Sequence, residues 1–153
     1  MTNILVDADG CPVVDLTIKL AQQYKLPITL FCDTAHNMQR DGADTIMVSK
    51  GMDAVDFVLV NRVKPGDIVI TQDYGLAAMV LAKRGHVMDQ NGREYTNNNI
   101  DQLLHSRHIA KKIRLAGGRM KGPKKRSKEN NENFERGFNE LIVKVLNQKE
   151  GEI

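Results

Sequence analysis

Carboxylates placed directly after two buried strands are the residues of this sequence best suited to chemistry. Asp7 and Asp9 follow the apolar run Ile4–Val6, and Asp73 follows the run Ile68–Gln72. In open α/β sheets, binding crevices lie beyond the carboxyl ends of the strands. Because carboxylates gathered at one edge repel each other, this arrangement predicts that a cation lies among them.

A second pair of acids lies near the start of a predicted helix over residues 53–63. Asp53 and Asp56 are three positions apart, so they share one face of that helix. Taken alone, the pair is typical of a capping box that also favours the helix dipole. Together with the acids at the first and fourth strands, this spacing predicts that at least one of Asp53 and Asp56 reaches the metal.

The oxygen donors of these side chains predict the kind of metal. Hard carboxylate oxygens select Mg²⁺ or Mn²⁺ rather than zinc. Such ions align a phosphodiester, activate a water molecule and stabilise the leaving oxygen. Asp7 is the best candidate for a direct or bridging ligand. The predicted metal-binding set comprises Asp7, Asp9, Asp53, Asp56 and Asp73.

The elements that must position these acids alternate between strand and helix. Apolar runs predict strands at 4–8, 28–32, 45–48, 68–71 and 86–88. Helices are predicted from Pro12, over 53–63, over 76–83, over about 99–116 and around the apolar positions between 134 and 146. This alternation predicts a Rossmann-like three-layer α/β sandwich with a mainly parallel five-stranded sheet. With strand order 3-2-1-4-5, Asp7 and Asp9 would face Asp73 across a crevice.

Length and composition predict one domain over residues 1–153. Its α/β core would span residues 1–90, and C-terminal helices would span residues 91–153. No apolar run reaches membrane-spanning length, and Met1–Asn3 lacks the basic start of a signal peptide. Cys11 and Cys32 form neither a disulfide framework nor a metal-ligand spacing, which favours a reducing cytoplasm.

Charge is segregated along the chain. Residues 107–128 contain ten Lys and Arg and no acid, whereas the other 131 residues carry twelve basic and nineteen acidic side chains. An acidic site beside a basic segment favours a polyanionic partner such as structured or ribosomal RNA. The predicted substrate-binding residues are His36, Arg119, Lys121, Lys124, Lys125 and Arg126. Sequence alone leaves open whether the chain forms a homo-oligomer.

Three motifs resemble those of a known group of bacterial proteins. The segments 6–13, 51–56 and 66–78 are similar to the YaiI/YqxD group, which looks like part of the PIN-like (PIN/NYN) nuclease superfamily. The resemblance implies a Rossmann-like sheet in the 3-2-1-4-5 order, a Mg²⁺ or Mn²⁺ site and cleavage of RNA by metal-activated water. The catalytic acids that it implies are Asp7, Asp53 and Asp73.

Two other functions remain open at this stage. The string Asp7-Ala8-Asp9-Gly10-Cys11 also resembles the opening motif of haloacid-dehalogenase-type phosphatases, in which Asp7 would be the nucleophile and Asp9 the general acid. Against that alternative, position 11 is Cys rather than Thr, and Asp67 precedes a strand instead of following one. The third hypothesis is a non-catalytic RNA- or ribosome-binding protein that uses the basic segment.

Overall fold

A computed structural model describes residues 1–33, 39–49, 54–118 and 125–150 of the chain. The strands in this part are β1 (Ile4–Asp7), β2 (Ile28–Asp33), β3 (Asp44–Val48), β4 (Ile68–Ile70), β5 (His86–Met88) and β6 (Glu94–Tyr95). The helices are α1 (Val14–Gln23), α2 (Ala54–Arg62), α3 (Tyr74–Ala82), α4 (Ile100–Leu115) and α5 (Lys128–Glu150). Among the described residues, no helix is both long and apolar enough to cross a membrane.

The strands form one sheet in the order β3-β2-β1-β4-β5-β6. All neighbours are parallel except β5 and β6, which are antiparallel. The predicted α/β class and the 3-2-1-4-5 order of the first five strands are therefore confirmed. Because the chain moves outward from β1 to β3 and then returns to the other side of β1, the winding reverses between β1 and β4.

Alternate side chains of the strands bury two separate faces of the sheet. Ile4 and Val6 of β1 belong to the core that includes Phe134 and Phe138 of α5. Leu5, between them, belongs to the opposite core, beneath α2, α3 and α4. This alternation is the period of two that a β-strand imposes, and it explains why helices cover both faces.

Several predicted boundaries shift at the carboxyl edge of the sheet. Strand β1 ends at Asp7 rather than at residue 8, and α1 begins at Val14 rather than at Pro12. A turn occupies the interval, with the Cys11 amide donating to the Ala8 carbonyl at 3.1 Å and Gly10 at φ +71°. Helix α3 begins two residues earlier than predicted, because the Asp73 side chain caps its first turn.

Strand β6 was not predicted, because two residues are too short to show a hydrophobic period. The hairpin between β5 and β6 is tightened by Asp89, whose Oδ1 accepts from the amides of Asn91 and Arg93 at 2.8 and 2.9 Å. Helix α5 packs closely on this hairpin: a Cβ placed on Gly137 would lie 2.5 Å from the Gly92 carbonyl oxygen. This contact holds the hairpin beside the edge where the acids lie.

Candidate functional site

A cleft of about 670 Å³ lies at the carboxyl edge of the sheet, where the winding reverses. Its walls come from the ends of β1 and β4, the start of α3, the β5–β6 hairpin and the middle of α4. The lining residues are Asp7, Asp9, Gly10, Cys11, Ile70, Thr71, Gln72, Asp73, Tyr74, Gln90, Ser106, Arg107 and Ala110. The structure thus brings three of the predicted acids, Asp7, Asp9 and Asp73, to one cleft.

Asp7 is the last residue of β1 and is half-buried at the base of this cleft. Its Oδ2 accepts a hydrogen bond of 2.8 Å from the hydroxyl of Thr71. Burial raises the pKa of the Asp7 carboxyl, and the like charges of Asp73 and Asp9 raise it further, while the Thr71 hydrogen bond acts in the opposite direction. A cation bound at Asp7 would offset both the cost of burying the ionised carboxylate and its repulsion by Asp73 and Asp9.

Asp73 lies between β4 and α3 and caps the helix. Its Oδ1 accepts from the amides of Gly75 at 2.8 Å and Leu76 at 3.1 Å, which satisfies two of the unpaired N–H groups of the first turn. The Asp73 amide in turn donates to the Thr71 hydroxyl oxygen at 3.1 Å. Thr71 therefore connects the two strand-end acids through one side chain.

Arg107 of α4 faces the same acid. Its Nη1 lies 3.7 Å from Asp73 Oδ1, and the Arg107 side chain is 60% exposed. An ion pair so open to water is weak, so the guanidinium can leave Asp73 at low energetic cost. It is therefore available to an anion that enters the cleft.

Asp9 lies in the turn after β1, where its Oδ2 accepts from the amide of Asp33 at 3.0 Å. This bond ties the turn to the end of β2. The neighbouring Cys11 thiol has a pKa raised mainly by burial, so its environment does not favour the reactive thiolate. Both Cys11 and Cys32 are free thiols.

The other predicted site residues are distributed differently. Asp56 lies in the first turn of α2 and is not among the residues that line the cleft. Lys125 is exposed. The guanidinium of Arg126 donates to Asn131 Oδ1, Asn91 Oδ1 and the Gln90 carbonyl at 2.8–2.9 Å, so it joins the approach to α5 to the β5–β6 hairpin. The predictions for His36, Asp53, Arg119, Lys121 and Lys124 fall outside the described residues.

The sequence indicates no role for Thr71, and it indicates Arg107 only as the first residue of the basic segment, yet both line the cleft. A hydroxyl residue at the end of a buried strand, two positions before an acid, is the signal that could have identified Thr71. Arg107 opens the basic segment, but only the path of α4 brings it to Asp73. Gln72 and Gln90 also line the cleft, and the Gln72 side-chain amide donates to Gln90 Oε1 across it.

The donors of this cleft suit a magnesium-like ion in part. No group of three or more His, Cys, Asp or Glu side chains within the described residues is arranged to hold a metal ion. Magnesium in proteins commonly needs only one or two carboxylates, because water and substrate phosphates complete its shell. Asp7 and Asp73 supply such donors, whereas a closed site made only of described protein ligands is absent.

Comparison with known proteins gives the relationships of the chain. Residues 5–144 match the family described as "Uncharacterized BCR, YaiI/YqxD family". A UPF0178 protein of Exiguobacterium sibiricum is 58% identical over 92% of this chain and 96% of its own length. UPF0178 proteins of Clostridium acetobutylicum and Ruminiclostridium cellulolyticum are 49% and 48% identical, over 93% and 97% of this chain and 97% and 95% of their own lengths. No solved structure matches the chain. The chain belongs to the YaiI/YqxD family.

Proposed function

We propose that this protein is a Mg²⁺- or Mn²⁺-dependent ribonuclease of PIN-like architecture that hydrolyses RNA phosphodiester bonds. The observation that carries the proposal is the placement of Asp7 and Asp73 in one cleft, connected through Thr71, where the sheet reverses its winding. The raised pKa of Asp7 supports it, because burial and the like charges of Asp73 and Asp9 disfavour the ionised carboxylate, which a bound cation would stabilise.

Each wall of the cleft has a distinct part in this proposal. Asp7 and Asp73 would hold the ion, with Asp53 as a third candidate outside the described residues. When bound, the ion supplies Lewis acidity, which lowers the pKa of a water and offsets phosphate charge. Thr71 orients the Asp7 carboxylate through its 2.8 Å hydrogen bond. Arg107 would move from Asp73 to a phosphate group, two oxygens of which can accept parallel hydrogen bonds from a guanidinium.

The contacts of Asp9 and of Asp67 disfavour the phosphatase alternative. A general acid next to the nucleophile must reach the leaving oxygen, yet Asp9 Oδ2 accepts from the Asp33 amide. Asp67 is buried at the opposite end of β4, where it accepts from the amides of Asn3 and Lys64 at 3.0 and 2.9 Å. It cannot serve as the later acid of a phosphatase site at the carboxyl edge.

The test is cleavage of a labelled single-stranded RNA by the purified protein with Mn²⁺, Mg²⁺ or EDTA. We expect metal-dependent hydrolysis that falls by about 10²-fold or more in Asp7→Asn, since stabilisation of several kcal/mol is lost. Asp41→Asn is the matched control, because Asp41 is exposed and precedes β3 at the opposite edge. Cleavage that survives EDTA, or that is equal in Asp7→Asn, would contradict the proposal. A phosphoryl group trapped on Asp7 would contradict the nuclease proposal and support the phosphatase alternative.

A further inference from the structure

The second half of α4 extends away from the body of the protein. Ile100 is buried and Leu103 and Leu104 are partly buried against the core beneath α3, but nearly every residue from 105 to 118 is exposed. This segment carries four Lys and Arg, two His and no acid. Because the protein covers this part of the helix so little, packing stabilises it weakly and its side chains are open to an external partner.

One face of this segment concentrates cations beside apolar side chains. A shallow groove of about 620 Å³ on this face is lined by Leu104, Arg107, His108, Lys111, Arg114 and Leu115. The spacing of three, four, seven, ten and eleven residues places them all on one side of the helix. Lys112 lies between two of them in sequence but is not part of this lining, so the groove uses particular cations rather than the whole helix.

The groove continues into the acidic cleft. Arg107 lines both, and Ser106 and Ala110 on the same helix line the cleft. From Arg107 to Arg114 the helix rises by about 10 Å, which gives a short line of positive charge leading away from Asp7 and Asp73. A chain of phosphates lying along this line would bring one end to the acids.

We propose that this groove binds the backbone of a single nucleic-acid strand and guides it into the acidic cleft. Lys111 and Arg114 bind successive phosphates, and Arg107 binds the phosphate nearest the cleft. The apolar Leu104 and Leu115 and the ring of His108 favour an unpaired strand, whose bases expose flat apolar faces, over a duplex that presents mainly phosphates and sugars. The inference rests on the proposed function for the identity of the strand as substrate, and on charge and geometry for its binding.

The test is a fluorescence-anisotropy titration of a labelled single-stranded RNA in EDTA, repeated over a range of salt concentrations. Each lost phosphate contact reduces the salt slope by about 0.7 and weakens binding about fivefold at 0.1 M salt. We expect this change in Lys111→Gln and twice this change in the slope when Arg114→Gln is added. Lys112→Gln, with the same charge change on the neighbouring residue, should bind nearly as wild type.

Equal losses in Lys111→Gln and Lys112→Gln would overturn the inference, because they would indicate diffuse attraction to the whole helix. Unchanged binding in the double variant, or a duplex of equal length bound as tightly as the single strand, would also overturn it. All three side chains are exposed, and a thermal melt of each variant checks that the fold is intact.

A small substrate separates this inference from the proposed function. Bis(4-nitrophenyl) phosphate is too short to occupy the groove, so its metal-dependent hydrolysis reports on the acids alone. Hydrolysis of this substrate without groove-dependent RNA binding would support the nuclease proposal and overturn the proposal that the groove binds the strand. Groove-dependent RNA binding without hydrolysis of either substrate would retain the groove and overturn the nuclease.

Discussion

Two carboxylates lie at opposite ends of the paired strands β1 and β4, and their surroundings differ. Asp67, just before β4, is only 2% exposed, and each of its oxygens accepts a backbone amide, from Asn3 and from Lys64. Asp7, at the end of β1, accepts from the Thr71 hydroxyl and faces the like charges of Asp73 and Asp9. One carboxylate joins two chain segments, and the other lies in a cleft with two further carboxylates, Asp73 and Asp9, and with Arg107 beside Asp73.

The difference separates a structural acid from a candidate functional one. Burial alone does not distinguish them, since the more deeply buried Asp67 is the better satisfied. What distinguishes Asp7 is that the charges acting on it, those of Asp73 and Asp9, are negative and that it borders a cleft. Perturbed carboxylates of this kind concentrate at functional sites.

The largest effect on stability is expected at Asp67. Replacement by Ala leaves two backbone N–H groups without their charged acceptor, which we expect to lower the free energy of unfolding by about 3 kcal/mol. Metal-dependent activity per folded molecule should stay at the wild-type level. Urea denaturation and a specific-activity measurement at low temperature would check both. A loss of activity that exceeds the loss of folded protein would mean that Asp67 also has a functional role, and Asp67 and Asp7 would then no longer differ in kind.

At Asp73 the structural and functional roles can be separated. Asn is as good an N-cap as Asp, so Asp73→Asn should keep the stability of α3, whereas Asp73→Ala should lose about 1 kcal/mol. Both should lower metal-dependent RNA cleavage by about 10²-fold, because both remove the charge beside Asp7. Denaturation curves and cleavage rates of the two variants are the measurement. Full activity in Asp73→Asn would reduce Asp73 to a helix cap.

The smallest expected effect is a pH-dependent gain of stability in Asp7→Asn. Because burial raises the pKa of Asp7 above its usual 3.8, the folded metal-free protein binds this proton more tightly than the unfolded chain does. Stability contributed by protonated Asp7 is therefore present at low pH and is lost as the pH rises through the folded-state pKa. Asn remains neutral, so in EDTA Asp7→Asn should be more stable than wild type at pH 7.

That gain should shrink as the pH falls toward 3.8 and should be absent in Asp41→Asn. Chemical denaturation of the three proteins across this pH range measures it. A wild-type protein more stable than Asp7→Asn at pH 7 in EDTA would mean that the ionised carboxylate is already compensated by the protein.

Much of the fold could be predicted from the sequence, because each core strand is a short apolar run bounded by turn residues. The 3-2-1-4-5 strand order was a hypothesis compatible with the crossover rule and implied by the family resemblance, and it correctly placed Asp7 and Asp73 at one edge. The two-residue β6 could not be predicted, since its hairpin depends on the Asp89 side chain and on the packing of α5 against Gly92.

The candidate site was predictable only where it depends on strand ends. The connection through Thr71 depends on the register between β1 and β4, which no local sequence pattern predicts. The contact of Arg107 with Asp73 depends on the direction of α4, which the packing of Ile100 and Leu104 against α3 determines. Arg126 was predicted to bind substrate from its place in the basic segment. In the structure its guanidinium donates to Gln90, Asn91 and Asn131, and these contacts cannot be inferred from the pattern of charge.

The proposed function requires that the strand-end acids of the cleft bind a divalent cation. Isothermal titration of Mn²⁺ into the wild-type protein, Asp7→Asn and Asp67→Asn tests it directly. We expect saturable binding to the wild-type protein and to Asp67→Asn, and binding at least about tenfold weaker to Asp7→Asn. Equal Mn²⁺ binding by the wild-type protein and Asp7→Asn, or no binding by the wild-type protein, would contradict it.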